Sequence, residues 1–220
     1  RTPTLFELFG DRGLFKANNN LLPEEARTVS FGSVYKSKKL AFSSAIYQKE
    51  LANSIVAIFN SSGIGTYSNV NNADLSGIEL QLNYQLFKAL SLLLQTNLID
   101  SSTTSDFVAF DNKKLPGIYH QQYSIAWQFE VDPQWKILFK TSQDKELYFN
   151  LVNKFENTSG GFGGGNPANR TIADLSVLWG RGKHRIALSV NNLFDQAYQD
   201  LANRAAQGRN IQLKYTVEGL

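Results

Sequence analysis

Hydrophobic and polar residues alternate with a period of two along most of the chain. In residues 76–85, SGIELQLNYQ, Ile78, Leu80, Leu82 and Tyr84 share one face, while Glu79, Gln81 and Asn83 share the other. In 122–129, QYSIAWQF, Tyr123, Ile125, Trp127 and Phe129 oppose Gln122, Ser124, Ala126 and Gln128. In 209–217, RNIQLKYTV, Ile211, Leu213, Tyr215 and Val217 oppose Asn210, Gln212, Lys214 and Thr216. Strict alternation predicts strands with one apolar and one polar face. No segment carries a convincing 3.6-residue period, so the chain reads as all-β. The pattern predicts strands near 27–35, 39–49, 74–85, 90–100, 118–130, 134–144, 169–180, 183–193 and 209–219. Residues 53–72 are ambiguous, and Arg1–Phe9 reads as the tail of an earlier strand. Several of these strands exceed the roughly 5–6 residues common in soluble sheets and approach the roughly 9–11 of a tilted bilayer-crossing strand.

The connections alternate between short and long. Lys36-Ser37-Lys38, Phe87-Lys88-Ala89, Val131-Asp132-Pro133 and Arg181-Gly182 are short, whereas 50–73, 101–117, 145–168 and 194–208 are long. This predicts an antiparallel up-and-down meander with every long loop at one end, the pattern of bacterial outer-membrane barrels. Tyr35, Tyr84, Trp127, Phe129, Trp135, Trp179 and Tyr215 fall on the apolar faces near the short-turn end. Amphipathic rings belong at the headgroup level of a bilayer, so these residues are the expected interfacial girdle. Lys36, Lys38, Lys88, Arg181 and Lys183 flank the same end. The apolar faces are therefore expected to meet lipid and the polar faces a wet lumen. Closure follows, because an open sheet edge in hydrocarbon leaves backbone groups unpaired.

Composition narrows the chemistry. Charged residues are 19% of the chain, below the roughly 25% of ordinary soluble domains, which suggests that part of the surface does not face water. No run of about 18 apolar residues is present, so no membrane-spanning helix is expected. Cysteine is absent, which removes disulfides, thiolate metal sites and Cys nucleophiles together. The net charge of +3 is scattered with no Lys/Arg block, giving no support for a nucleic-acid partner. The chain opens Arg1-Thr2-Pro3 with no Met and no leader pattern, and reads as a piece of a longer protein. His120 and His184 are its two histidines, far apart in sequence. No motif frames a Ser/His/Asp set, and the Gly-rich 159–167 lacks the Lys-Ser/Thr of a phosphate loop. The expectation is a protein that is not an enzyme, with no catalytic or metal-ligating residues and no cofactor.

Ligand capture is the remaining chemistry. The predicted long loops carry Tyr67, Phe107, Phe110, Tyr119, Tyr148, Phe155, Phe162, Arg170, Tyr198 and Arg204. Aromatic rings mixed with amides and Arg suit a large amphipathic ligand such as a metal chelate. A passive outer-membrane channel and a soluble all-β carbohydrate-binding module are the alternative readings.

Five segments carry a further signal: RTPTLFELFG at 1–10, NLLPEEA at 20–26, NVNNADLSGIELQLNY at 69–84, VNNLFDQAY at 190–198 and GRNIQLKYTV at 208–217. LPGIYHQ at 115–121 adds a weaker match. In this order they resemble R-x-P-T-x-x-E-L-[YF], N-x-x-L-x-P-E, N-V-x-x-A-x-x-x-G-[IV]-E-L-x-L, V-x-N-L-F-D-x-x-Y and the final strand of the TonB-dependent outer-membrane receptors. The resemblance implies that residues 1–220 are the C-terminal portion of a receptor barrel domain, about the last nine to ten strands of a 22-strand barrel. It implies a plug domain upstream and absent here, TonB as a partner through that plug, and outer-membrane lipid and lipopolysaccharide around the barrel. The implied activity is TonB-energised uptake of a scarce nutrient: an iron–siderophore, haem, cobalamin or similar small-molecule chelate. Two departures stand out. Asn18-Asn19-Asn20 replaces the usual Gly-Asn-Pro start, and Val217 followed by Glu218-Gly219-Leu220 replaces the usual terminal aromatic. In VNNLFDQAY, strict alternation places Asn192 on the lipid side at the outer end of its strand and Asn191 inward.

Overall fold

The computed structural model describes residues 1–220 except 12, 61, 71, 150, 154–167, 201–204 and 218–220. One helix, α1 (Leu5–Phe9), precedes the strands β1 (Phe15–Lys16), β2 (Glu25–Lys36), β3 (Leu40–Ala52), β4 (Ser54–Phe59), β5 (Gly65–Val70) and β6 (Asn72–Phe87). Then follow β7 (Leu90–Thr104), β8 (Tyr119–Glu130), β9 (Trp135–Leu147), β10 (Ala168–Arg181), β11 (His184–Asn191) and β12 (Asn210–Val217). The nine strands expected from period two are all present, and they form one sheet in the order β12-β11-β10-β9-β8-β7-β6-β3-β2. The ambiguous 53–72 resolves into the antiparallel β4–β5 hairpin, which with β1 makes a second, three-stranded sheet. Contacts divide the chain into two units. The first is Arg1–Ser30, Tyr47–Ser76 and Asp100–Leu115; the second is Phe31–Ile46, Gly77–Ile99 and Pro116–Leu220.

In the second unit the strands are joined by the predicted tight turns. Asp132 makes one of them: its Oδ1 accepts from the backbone N–H groups of Gln134 (2.7 Å) and Trp135 (3.0 Å). Such an Asx turn reverses the chain within a few residues. Register then fixes the faces. Leu90 lies opposite Phe129, Phe129 opposite Ile137, Ile137 opposite Val177, Val177 opposite Leu188, and Leu188 opposite Leu213. Because side chains alternate across a sheet, one such row commits every strand to the same apolar face. That face is the open one: Ile125 is 44% exposed and Leu188 42%. Among the described residues of this unit the buried apolar ones are few, namely Ala126, Leu147, Leu151, Ile172 and Ala173. A soluble sheet buries its apolar face; this one displays it.

Seven aromatics are expected near the short-turn end of the apolar faces. Tyr35, Tyr84, Trp127, Phe129, Trp135 and Tyr215 are exposed, and Trp179 is partly covered. Trp135 and Trp179 are directly opposed across β9 and β10, with ring centroids 6.4 Å apart.

The first unit corrects the reading of Arg1–Phe9 as a strand tail. Thr4 caps α1, and its side-chain oxygen accepts from the Glu7 N–H at 3.2 Å. The Glu7 carboxylate reaches back to the Thr4 N–H at 2.6 Å. This reciprocal capping box satisfies the free donors of the first turn, and a local hydrogen-bond gain of this kind overrides an extended start. Gly10 ends the helix at φ 68°. A Cβ there would run into the backbone of Phe15 and Lys16. Gly10→Ala is expected to cost more than about 1 kcal/mol, read as faster hydrogen exchange across residues 5–16 than in the unaltered protein. Phe6, Phe15 and Tyr67 pack as a ring cluster beside it, with centroids 5.2–6.0 Å apart.

Two of the quoted motifs meet through charge in this unit. Arg1 donates to both Glu7 oxygens at 2.9 Å and, through Nε, pairs with Glu24 at 2.7 Å. Glu24 also accepts from the Ile55 N–H at 2.7 Å. Asn69, from a third motif, bonds the backbone of Leu22 in both directions and the carbonyl of Asn53.

Candidate functional site

The polar face of the second unit carries a hydrogen-bonded ladder across four strands. Asn97 lies opposite Gln122, Gln122 opposite Asp144, and Asp144 opposite Arg170. Asn97 donates to Gln122 at 3.2 Å, Gln122 donates to Asp144 at 3.4 Å, and Arg170 Nε donates to Asp144 at 2.7 Å. Each step is a directly opposed cross-strand pair, the closest approach a sheet offers. Beside the ladder β9 bulges: Glu146 has φ 61°, and the pairing with β10 shifts register between Ala168 and Arg170. Bulges re-aim side chains near functional sites.

Arg170 is the hub at the long-loop end. Its Nη1 donates to both oxygens of Asp200, at 2.9 and 2.8 Å. The Tyr119 hydroxyl donates to the same Asp200 at 2.7 Å. The Tyr119 and Tyr198 rings flank the guanidinium, 4.9 and 5.2 Å from its carbon. Two depressions open on the polar face, of about 670 and 310 Å³, and Arg170 and Lys140 line both. Asn97 Oδ1 and Asn210 Oδ1 are buried acceptors with no partner among the described residues.

The predicted ligand residues separate into groups. Tyr119, Arg170 and Tyr198 converge as described. Tyr148 stands edge-on to His120, 5.4 Å away; His120 is 1% exposed, its Nδ1 2.9 Å from the Glu146 carbonyl oxygen. Phe107 and Phe110 pack on each other at 6.0 Å, and Tyr67 belongs to the ring cluster beside α1. Phe155, Phe162 and Arg204 lie outside the described residues. Asp144 and Asp200 are the members that sequence reasoning passed over. Asp144 sits nine residues from the start of β9 at Trp135 and Arg170 eleven from the end of β10 at Arg181, so only the observed register puts Gln122, Asp144 and Arg170 on one row. Asp200 was out of reach too, because nothing local ties it to a residue 30 positions earlier. Among the described residues, no group of three or more His, Asp or Glu is placed to hold a metal ion.

The expectation for Asn192 is overturned. Asn192 is 4% exposed and has φ 51°, so the chain leaves the strand in the left-handed region and the alternation stops one residue early. Its amide donates to the Gln196 carbonyl and accepts from the Gln196 N–H, both at 2.9 Å, while its own N–H bonds Asp174. Asn tolerates this backbone and bonds its own turn. Asn192→Leu should cost about 2–4 kcal/mol from the lost bonds and the backbone strain, visible as accelerated hydrogen exchange at residues 192–196.

The sequence pattern of the family described as "TonB dependent receptor-like, beta-barrel" matches residues 1–193. The chain belongs to this family. Among solved structures, the copper transporter OprC is similar over 99% of this chain and 35% of its own, at 18% identity and a TM-score of 0.78. The siderophore receptor PiuA from Acinetobacter baumannii is similar over 92% of this chain and 30% of its own, at 22% identity and a TM-score of 0.70. The ferric citrate transporter FecA, in its unliganded form, is similar over 89% and 31%, at 16% identity and a TM-score of 0.74. At these identities the likeness is one of fold. The TonB-dependent receptor barrel segment seen here spans about a third of the length of each of those proteins. No curated protein sequence matches the chain significantly. The similar structures are named as transporters and receptors rather than enzymes. No helix among the described residues is long and apolar enough to cross a membrane; receptors of this family cross with strands.

Proposed function

We propose that residues 1–220 form the C-terminal portion of the β-barrel of a TonB-dependent receptor in the bacterial outer membrane, and that the whole protein takes up a metal chelate or a similarly scarce nutrient. The carrying observation is the inverted sheet: apolar residues and a row of aromatics on the open face, a bonded polar ladder on the other. In this reading the open face meets lipid and, toward the long loops, lipopolysaccharide. The strands belong to a barrel of about 22, a size that holds a plugged lumen. The plug lies upstream, and TonB acts through it. The ligand, an iron–siderophore, haem, cobalamin or similar, arrives from the long-loop side. Tyr119, Arg170 and Tyr198 are the first candidates to meet it, with Tyr67, Phe107, Phe110, Tyr148, Phe162 and Arg204 as further ones.

The test uses the intact protein. Cells dependent on it for growth on one of a panel of iron chelates should lose that growth when either the receptor gene or TonB is removed, and the protein should fractionate with outer membranes. Growth that persists without TonB would favour a passive channel instead. Recovery of the protein in the soluble fraction would sink the barrel reading.

A further inference from the structure

We propose that Arg170 and Tyr119 form a carboxylate-recognition site on the strands, held in this structure by Asp200 as an internal occupant and available to a ligand carboxylate that displaces it. The inference rests on the reading that ligands are captured at the long-loop end. Three bonds from two strands converge on one carboxylate: Arg170 Nη1 on both oxygens, and the Tyr119 hydroxyl on one. Such bonds are charge-assisted, with Nη1 bridging both oxygens and the Tyr119 hydroxyl fixing one of them.

Arg170 does not depend on Asp200 alone for its placement. Arg170 is anchored through Nε to Asp144, which is 5% exposed and braced by Gln122. The Tyr119 and Tyr198 ring centroids lie 4.9 and 5.2 Å from the guanidinium carbon. Asp200 is different in kind. It lies on the segment after β11, its side chain is 46% exposed, and the bonds shown for its carboxylate come only from Arg170 and Tyr119 among the described residues. An exposed ion pair is cheaply exchanged, whereas the buried Asp144 pair is not. Lys140 lines the same two depressions as Arg170, so a ligand with a second anionic group would find a second cation near the first.

Succinate is the probe and succinamide its uncharged control, titrated by calorimetry into the intact receptor purified from outer membranes. Asp200→Asn removes the occupant's charge and should tighten succinate binding about 10-fold or more. Tyr119→Phe keeps the ring and should weaken binding about 5- to 10-fold, and Arg170→Gln should abolish it. Heat-modifiable migration on gels checks that each variant folds. If Arg170→Gln does not fold, Arg170→Lys decides, since lysine lacks the rigid Nε–Nη1 pair that anchors on Asp144 while reaching the carboxylate and should lose most of the affinity. Unchanged affinity in Asp200→Asn, succinate binding that survives loss of the Arg170 fork, equal binding of succinamide, or no binding to any form overturns the site. Growth that persists without TonB, alongside Arg170-dependent succinate binding, would remove the energised-uptake reading and leave the site standing.

Discussion

Arginine in place of Leu188 should cost about 2–4 kcal/mol of folding stability in a bilayer, while arginine in place of Gln212 should change it by less than about 0.5 kcal/mol. The two residues lie on adjacent strands and opposite faces. Leu188 sits in mid-strand between Val177 and Leu213 on the exposed apolar face. Gln212 lies opposite Ser189 on the polar face and lines one of its depressions. In water a charge at an exposed leucine is nearly free, so the asymmetry appears only if that face meets hydrocarbon. Denaturant midpoints of the intact protein in lipid vesicles read both values. Equal costs for the two variants would contradict a lipid-facing surface.

Glu7→Ala should cost about 2–4 kcal/mol, because it strips a bidentate partner from Arg1 and an acceptor from the Thr4 N–H at a site where Glu7 is buried. Glu7→Gln should recover part of this, since an amide still accepts from Thr4. The same residue sets a pH dependence. The Arg1 guanidinium, with the Thr4 bonds assisting against burial, lowers the Glu7 carboxyl to about 2. A depressed acid stabilises the fold fully above its unfolded value, near 4.5, and that contribution fades as pH falls toward about 2. Amide protection factors at residues 4–10, corrected for the pH dependence of intrinsic exchange, should therefore fall below about pH 4.5 in the wild-type protein, and Glu7→Ala should flatten that part of the profile. A profile equally steep in the variant would assign the acid sensitivity to other carboxylates.

What was readable in the sequence was whatever repeats every second residue. β8 and β12 announce themselves because each apolar side chain has a polar neighbour, and the short turns between strands fix the direction of every step. The missed features depend on something other than period. α1 is too short to show a helical repeat, although Thr4, Glu7 and Gly10 together spell its start and stop. In β4, SIVAIF alternates poorly, so its partner β5 was needed to identify it. Asn192 shows the limit of extrapolation: alternation describes a residue only while the backbone stays extended, and a single left-handed φ turned an expected lipid-side amide into a buried clamp. The Arg170 hub was half legible. Only the observed register supplies Asp144, and Asp200 comes from a segment beyond β11 that no local rule connects to β10.

The cross-strand row from Leu90 to Leu213 also sets an angle. Leu90 opens its strand at a short turn, and Phe129 is one residue from the next; Ile137 is two residues above Trp135, while Val177, Leu188 and Leu213 are each four residues from the turn end of their strands. With strands about 4.8 Å apart and a rise of about 3.4 Å per residue, that climb leans the strands by roughly 30° from the perpendicular to the level of the short turns. A leaning strand gains only about 2.9 Å of height per residue, so an apolar band about 25 Å tall takes up roughly nine residues. Arg170 is eleven residues from Arg181 at the turn end of β10, or about 32 Å up at that rate. Even with the height lost to the lean, the guanidinium would stand above a band of that thickness measured from the short turns, where a water-borne carboxylate could reach it.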